Sequence, residues 1–290
     1  MIRLVATDLD GTLLSHDKTI SKRNLEILRK AQEQGVMLVL ASGRNEASLR
    51  EYAVQLDMYK HGGYLICSNG ARVVSLRDSQ VIENASIGPE MTLKLFRFAQ
   101  RHGIELILEG DDGMSVFTPR NLVMVRFLYQ RIVGFIPAFR DPDVKNSWLN
   151  FFGIFQEYRI KLINDETQLA STYYKIGLAH RKKRLDKVMP QLIREFEESL
   201  AISRVSEMWI DIVSQGVSKA LGVKQIIEKH EIDVRHTMAI GDSENDLDMI
   251  AFAGIGVAMG NAMQCVHDIA DATTSTNQQD GVAMIVEKYL

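Results

Sequence analysis

The sequence is short of several features that would narrow its class. Only two cysteines, Cys67 and Cys265, occur among 290 residues, both in apolar surroundings. That excludes a disulfide framework and a thiolate metal site, and makes the reducing cytoplasm the expected compartment. No apolar run approaches the roughly 18 residues of a membrane span. The N-terminus has no charged-then-apolar signal pattern, because Asp8 and Asp10 interrupt it almost at once. A formal charge of -3, with no basic–aromatic interleaving, gives no electrostatic argument for nucleic acid or an anionic membrane as partner. Internal repeats, low-complexity blocks and Pro-rich linkers are missing too. What remains is ordinary for a soluble globular protein: 46% hydrophobic and 24% charged residues, enough to bury a real core. At roughly 150 residues per domain, the length suits one large domain or two of common size.

The first third alternates strand and helix. An apolar run ends at DLDGT, and Ser21 can cap a helix with Leu25, Leu28 and Ala31 on one face, stopped at Gly35. A buried strand VMLVLA leads through SGR to a helix carrying Leu49, Tyr52, Ala53 and Leu56. YLICSNGA and a polar-tipped hairpin, RVVSLRDSQVI, follow. The last third repeats the alternation: helix SKALGVKQIIEKH, strand TMAIG, helix NDLDMIAFA, strand GIGVAM, a short helix near Gln264 and a terminal helix from Gly281. Short apolar strands separated by helices predict an α/β fold with a parallel sheet covered on both faces.

The middle is different. Amphipathic helices (MTLKLFRFAQRHG, RLDKVMPQLIREFEESL) mix there with strand-like runs such as IELILEG, GMSVFTP and YYKIGLAH. The expected organisation is a core formed by residues 1–84 and 207–290 with an α+β domain inserted at 85–206. The basic cluster from Arg181 to Arg184 reads as a solvated segment before a helix.

Ligands of parallel α/β sheets collect at the carboxyl ends of the strands. Four polar clusters fall at such ends: DLDGT, SGR, SNGA and GDSEND. Asp8 and Asp10 after a buried strand suit a hard cation such as magnesium, which takes carboxylates, carbonyls and water. A calcium loop is excluded, because counting from Asp8 the fifth position is Thr12 and the glycine falls at the fourth. Asp242 and Asp246 would supply the second half of a metal site, although Asp246 alone is equally explained as an acid at a helix N-terminus. Ser42 and Gly43 offer a hydroxyl and a mobile amide for phosphate, but SGR in isolation reads first as a helix cap. Lys219 opens a helix, where a lysine is ordinarily exposed. Three acids on one sheet rim would give it a partner.

Together these segments resemble the haloacid dehalogenase superfamily, whose four ordered motifs match DLDGTLL, ASGR, the lysine of GVSKA and GDSENDLDMI. SNGA and the tail GVAMGNA…ADATTSTNQQDGVA are similar to its Cof-type phosphatases. The resemblance implies a Rossmann-like core with a C2-type cap. It also implies that Asp8 is a nucleophile forming an aspartyl-phosphate and that Asp10 is the general acid and base. Asp8, the backbone carbonyl of Asp10 and Asp242 would hold magnesium, with Asp246 in support. Ser42, Gly43, Lys219 and Asn245 would bind the phosphoryl group. Asn69 would be a structural or substrate-side amide.

The expected partner is a small phosphorylated metabolite, a sugar phosphate or phosphorylated cofactor. A phosphomutase of the same fold and a non-catalytic phosphometabolite-binding regulator are the alternatives. Specificity would lie with cap residues, for which Glu109, Asp111, Arg120, Arg126 and Lys175 are candidates. The sequence carries no signal of oligomeric state.

Overall fold

The computed structural model describes residues 2–111, 113–120, 122, 160–169 and 172–290. Among them, β1 (Leu4–Thr7), β2 (Met37–Ala41), β3 (Tyr64–Cys67), β4 (Arg72–Ser75) and β5 (Val81–Glu83) precede the middle segment. The middle contributes β6 (Glu105–Gly110), β7 (Gly113–Phe117), β8 (Ile160–Ile163), β9 (Lys175–Ala179), β10 (Leu200–Ser206) and β11 (Trp209–Ser214). The chain ends with β12 (Thr237–Gly241), β13 (Ile255–Ala258) and β14 (Ala272–Thr273).

Two compact units result. The first comprises Met1–Ala85, Ser203–Val205 and Gln215–Leu290. Its sheet runs β14-β13-β12-β1-β2-β3-β4-β5, parallel from β14 to β3 and closed by the antiparallel hairpin β4–β5. Alternation along the strands feeds two apolar layers. Val5, Leu38, Leu40 and Ile240 pack with the helices Lys22–Glu33 and Gly281–Glu287. Leu4, Ala6, Val39 and Ala239 pack with the helix Lys219–Lys229. The predicted cap of the first helix is present, with Ser21 accepting from the backbone N–H of Asn24. This is the doubly covered α/β sheet expected of near-continuous apolar strands.

β1 has β2 on one side and β12 on the other. From that pair the strand order runs outward in both directions, so the carboxyl ends of β1 and β12 flank the point where the order reverses. Crevices for ligands open at such points.

The second unit comprises Ser86–Ile202 and Ser206–Ser214. Its sheet, ordered β10-β11-β9-β6-β7-β8 among the described residues, is antiparallel from β11 through β9 and β6 to β7 and parallel where β7 meets β8. The helices Pro89–His102 and Lys182–Phe196 share one apolar cluster with its Leu106, Leu108, Ile176, Leu178, Ile210 and Ile212. The opposite face carries Glu109, Lys175 and Asp211.

Two details depart from the sequence reading. The helix expected to run through Leu200 stops at Phe196, because Leu200 already faces the apolar cluster as the first residue of β10. The return to the core, expected at residue 207, falls between paired neighbouring strands, since β10 and β11 adjoin in the second sheet. Ile210 and Ile212 bury on the helix side while Asp211 faces away, and that alternation fixes β11 to β9. No helix among the described residues is long and apolar enough to cross a membrane.

Candidate active site

Asp8, Ser42, Ser68 and Asp242 directly follow β1, β2, β3 and β12. These four strands are parallel neighbours, so the four polar clusters sit on one sheet edge. Asp8, Asp242 and Asp246 each bring a carboxylate oxygen into a group whose members all lie within 4.8 Å of one another. Lys219, fully buried at the start of its helix, places Nζ 2.6 Å from Oδ1 of Asp8 and 2.6 Å from Oδ1 of Asp246.

The surrounding backbone explains this convergence. Ser218 caps the helix by accepting from the N–H of Leu221, which puts Lys219 in the first turn. The other oxygen of Asp246 accepts from the N–H groups of Asp242 and Ser243, at 3.0 and 3.1 Å. Asp246 is thus both the helix-start acid that its sequence position allowed and a partner of Lys219. Asp242 accepts from the Thr12 hydroxyl at 2.9 Å. Gly11 has φ +83°, and a Cβ there would collide with the Asp242 carboxylate, which accounts for glycine in DLDGT.

Burial raises the pKa of Asp8 to about 7; Lys219 counteracts it, and the charges of Asp246 and Asp10 reinforce it. Burial and then the neighbouring Asp8 and Asp246 push Asp242 well above the usual carboxylate range. Burial also works against the Lys219 ammonium, but the facing Asp246 and Asp8 outweigh it and hold the proton above the ordinary lysine value. Three carboxyl groups gather around one ammonium, so their full ionisation would leave uncompensated negative charge on an all-oxygen donor set. A hard divalent cation such as magnesium fits those residues.

Asp10 turns to other partners. Its two oxygens accept from Nε and Nη2 of Arg44 at 2.6 and 2.7 Å, and Nζ of Lys18 lies 2.7 Å from Oδ1. Partial burial disfavours its charge, yet Arg44 and Lys18 prevail and hold the carboxyl well below the usual range. In this arrangement Asp10 is a carboxylate. Donating a proton requires it to part from Arg44.

Ser42 is buried, and its Oγ accepts from the N–H of Arg44 at 3.2 Å. It does not cap the following helix: Asn45 does, accepting from the N–H of Ser48. Asn245 is held at both ends of its carboxamide, by the Ser243 hydroxyl at 2.7 Å and by Oδ1 of Asn69 at 2.9 Å. Gly43 lies between Ser42 and Arg44 in the same loop.

The candidates of the second unit are differently placed. Lys175 is buried with Glu109 and Asp211, at 3.7 and 3.5 Å. Asp111 accepts from the Tyr174 hydroxyl, and Arg120 is exposed. Arg126 lies outside the described residues.

The sequence reading missed Arg44, Lys18 and Thr12. Arg44 ends the SGR motif and had a signal of sorts. Lys18 had none, since its approach depends on a positive φ in the loop after β1.

The whole chain now allows comparison with known proteins. Residues 5–286 match the family model for haloacid dehalogenase-like hydrolases. The chain belongs to that family. Among full-length relatives of this hydrolase is the 5-amino-6-(5-phospho-D-ribitylamino)uracil phosphatase YcsE of Bacillus subtilis, 28% identical over 290 residues, covering 100% of this chain and 96% of the relative. Pyridoxal phosphate phosphatase YbhA of Escherichia coli is 25% identical over 295 residues, covering 99% and 98%. The crystal structure of a haloacid dehalogenase-like hydrolase from Bacteroides thetaiotaomicron superposes with a TM-score of 0.77 at 29% identity, over 100% of both chains. Within its family the hydrolase falls among the Cof-type phosphatases.

Proposed function

We propose that the hydrolase is a magnesium-dependent phosphomonoesterase of small phosphorylated metabolites, working through an aspartyl-phosphate on Asp8. The observation that carries this reading is the Lys219 ammonium between Asp8 and Asp246 beside Asp242. The relatives that hydrolyse a phosphoribityl intermediate and pyridoxal phosphate support the substrate class.

Lys219 engages Oδ1 of Asp8, so the second oxygen is the attacking atom. It bonds to phosphorus as the ester P–O bond breaks, and the departing alkoxide takes a proton from Asp10, which carries that proton only once it has parted from Arg44. Asp10 then removes a proton from water, the water oxygen bonds to phosphorus, and the bond to Asp8 breaks. Inorganic phosphate leaves and both carboxyl groups return to their starting states. Dividing the displacement in two gives each half a lower barrier. Lys219 offsets negative charge on the nucleophile and phosphoryl oxygens as a compact cation, while the Ser42 hydroxyl, the Gly43 amide and Asn245 orient the phosphoryl group. Asp8, Asp242 and the Asp10 carbonyl would hold magnesium, with Asp246 in support; when bound, it supplies Lewis-acid stabilisation of phosphoryl charge.

The test is a panel of sugar phosphates, phosphorylated cofactors and p-nitrophenyl phosphate assayed with magnesium. Inorganic phosphate is the expected product, and Asp8→Asn should lower kcat by more than about 10³-fold while the protein stays folded. Wild-type turnover by that variant would remove Asp8 as nucleophile, and an isomerised ester as sole product would make the protein a mutase.

A further inference from the structure

Ser68, Asn69 and Gly70 follow β3 with φ of +50°, +57° and +98°, three successive residues in the left-handed region. For serine that is costly and for asparagine less so. The turn is held by contacts to the other site loops. The N–H of Ser68 donates to the Arg44 carbonyl at 2.9 Å, and the N–H of Asn69 donates to the Ser42 carbonyl at 3.0 Å. Gly70 packs so tightly against the Ser218 carbonyl, one residue before Lys219, that a Cβ there would collide with it.

The side chain of Asn69 reaches a different loop. Buried and 176 residues distant in sequence, it accepts from Nδ2 of Asn245 at 2.9 Å. The other end of the Asn245 carboxamide accepts from Ser243. Of the two Nδ2 hydrogens of Asn245, one is therefore committed to Asn69, which fixes the plane and direction of the other.

We propose that Asn69 is the positioning residue of the phosphoryl-binding side: its main chain sets Ser42, and its carboxamide aligns Asn245 to donate to a phosphoryl oxygen. The inference rests on the phosphatase reading and adds a residue to it. Asn69 itself does not touch substrate. The left-handed turn after β3 lets one residue serve both loops, its N–H reaching the loop after β2 and its side chain the loop after β12, with β1 between those two strands.

Asn69→Gly isolates the carboxamide, since glycine keeps the positive φ and the N–H bond to Ser42 while deleting the bond to Asn245. With magnesium and p-nitrophenyl phosphate, this variant should lose about tenfold to a hundredfold in kcat/KM, the usual effect of removing a residue that orients a ligand-binding group. Binding of inorganic phosphate, measured by calorimetry with magnesium, should weaken in parallel. Asn245→Ala should show a loss of similar size, and the double variant should be no worse than Asn245→Ala alone.

Wild-type kcat/KM in Asn69→Gly would overturn the inference while leaving the phosphatase reading intact. Additive losses in the double variant would overturn it also, because Asn69 would then act independently of Asn245. If the wild-type protein hydrolyses no ester, the functional reading falls, and the calorimetric cycle still decides the role of Asn69. Failure of the wild type to bind phosphate at all would overturn both.

Discussion

Nζ of Lys219 lies 2.6 Å from Oδ1 of Asp8, across 211 residues of chain. The same ammonium meets Asp246 at 2.6 Å, and all three side chains are buried. One cation thus stands between two carboxylates away from water, where each partner is costly without the others.

Removing that cation should be felt in folding as well as turnover. Lys219→Met keeps the volume and deletes the charge, leaving Asp8 and Asp246 facing each other. A loss of about 3–5 kcal/mol is expected, the usual cost of breaking a buried pair from one side, along with loss of phosphatase activity. Denaturant titration of the metal-free protein measures the first. Asp8→Asn in the Lys219→Met background should recover part of the stability, because it removes one of the stranded charges. Unchanged stability in Lys219→Met would mean that the pair does not hold the site together.

Magnesium should stabilise the protein more at higher pH. Asp8 is raised from 3.8 to about 7 without metal, and Asp242 moves in the same direction. Groups whose folded-state pKa is raised contribute stability that is complete below the unfolded value and is lost as pH climbs through the folded one. The metal-free protein therefore loses this contribution between about pH 4 and 7, when the carboxylates ionise against one another. A divalent cation relieves that repulsion and competes with the protons. The rise in Tm on adding magnesium should be larger at pH 8 than at pH 5.5. Equal rises at both pH values would count against metal binding by these acids.

Arg44 should set the pH range in which Asp10 donates a proton. The guanidinium holds both oxygens of Asp10, and Lys18 adds a second cation. Arg44→Gln removes one charge at hydrogen-bond distance, a change that raises a carboxylate pKa by roughly one to three units. For alkyl phosphates, whose leaving group must be protonated, the alkaline limb of kcat/KM should move to higher pH. For p-nitrophenyl phosphate, whose phenolate departs unaided, it should stay in place. Identical movement for both substrates would assign Arg44 to phosphate binding instead.

Most of the core was legible because its period is short. LVAT, MLVLA and TMAIG are buried on both faces, and only strands of a helix-covered parallel sheet read as continuous apolar runs between helices. Asp8, Ser42 and Asp242 could be assigned to one rim on the same basis. The end of the insertion was harder to read. WIDIVS is as apolar as a core strand, and whether it pairs with β9 or with a core neighbour depends on partners far away in sequence.

Side-chain partnerships were less accessible still. Asn69 lies in SNGA and Asn245 in GDSEND, both visible as polar clusters, yet nothing local joins them. Their hydrogen bond needs the left-handed turn after β3 and the 3-10 turn after β12 to meet. The same holds for Lys18, which reaches Asp10 only through a positive φ in its own loop.

By itself the sequence determined which reactive groups exist, that Asp8, Ser42 and Asp242 follow buried strands and that Lys219 opens a helix, since hydrophobic period and turn residues act over a few positions. The tertiary structure alone decided who holds whom: Lys219 with Asp8 and Asp246, Arg44 with Asp10, Asn69 with Ser42 and Asn245. Such pairings are set by strand order and loop dihedrals, which no local pattern encodes, and they govern the charge and direction of every group in the site.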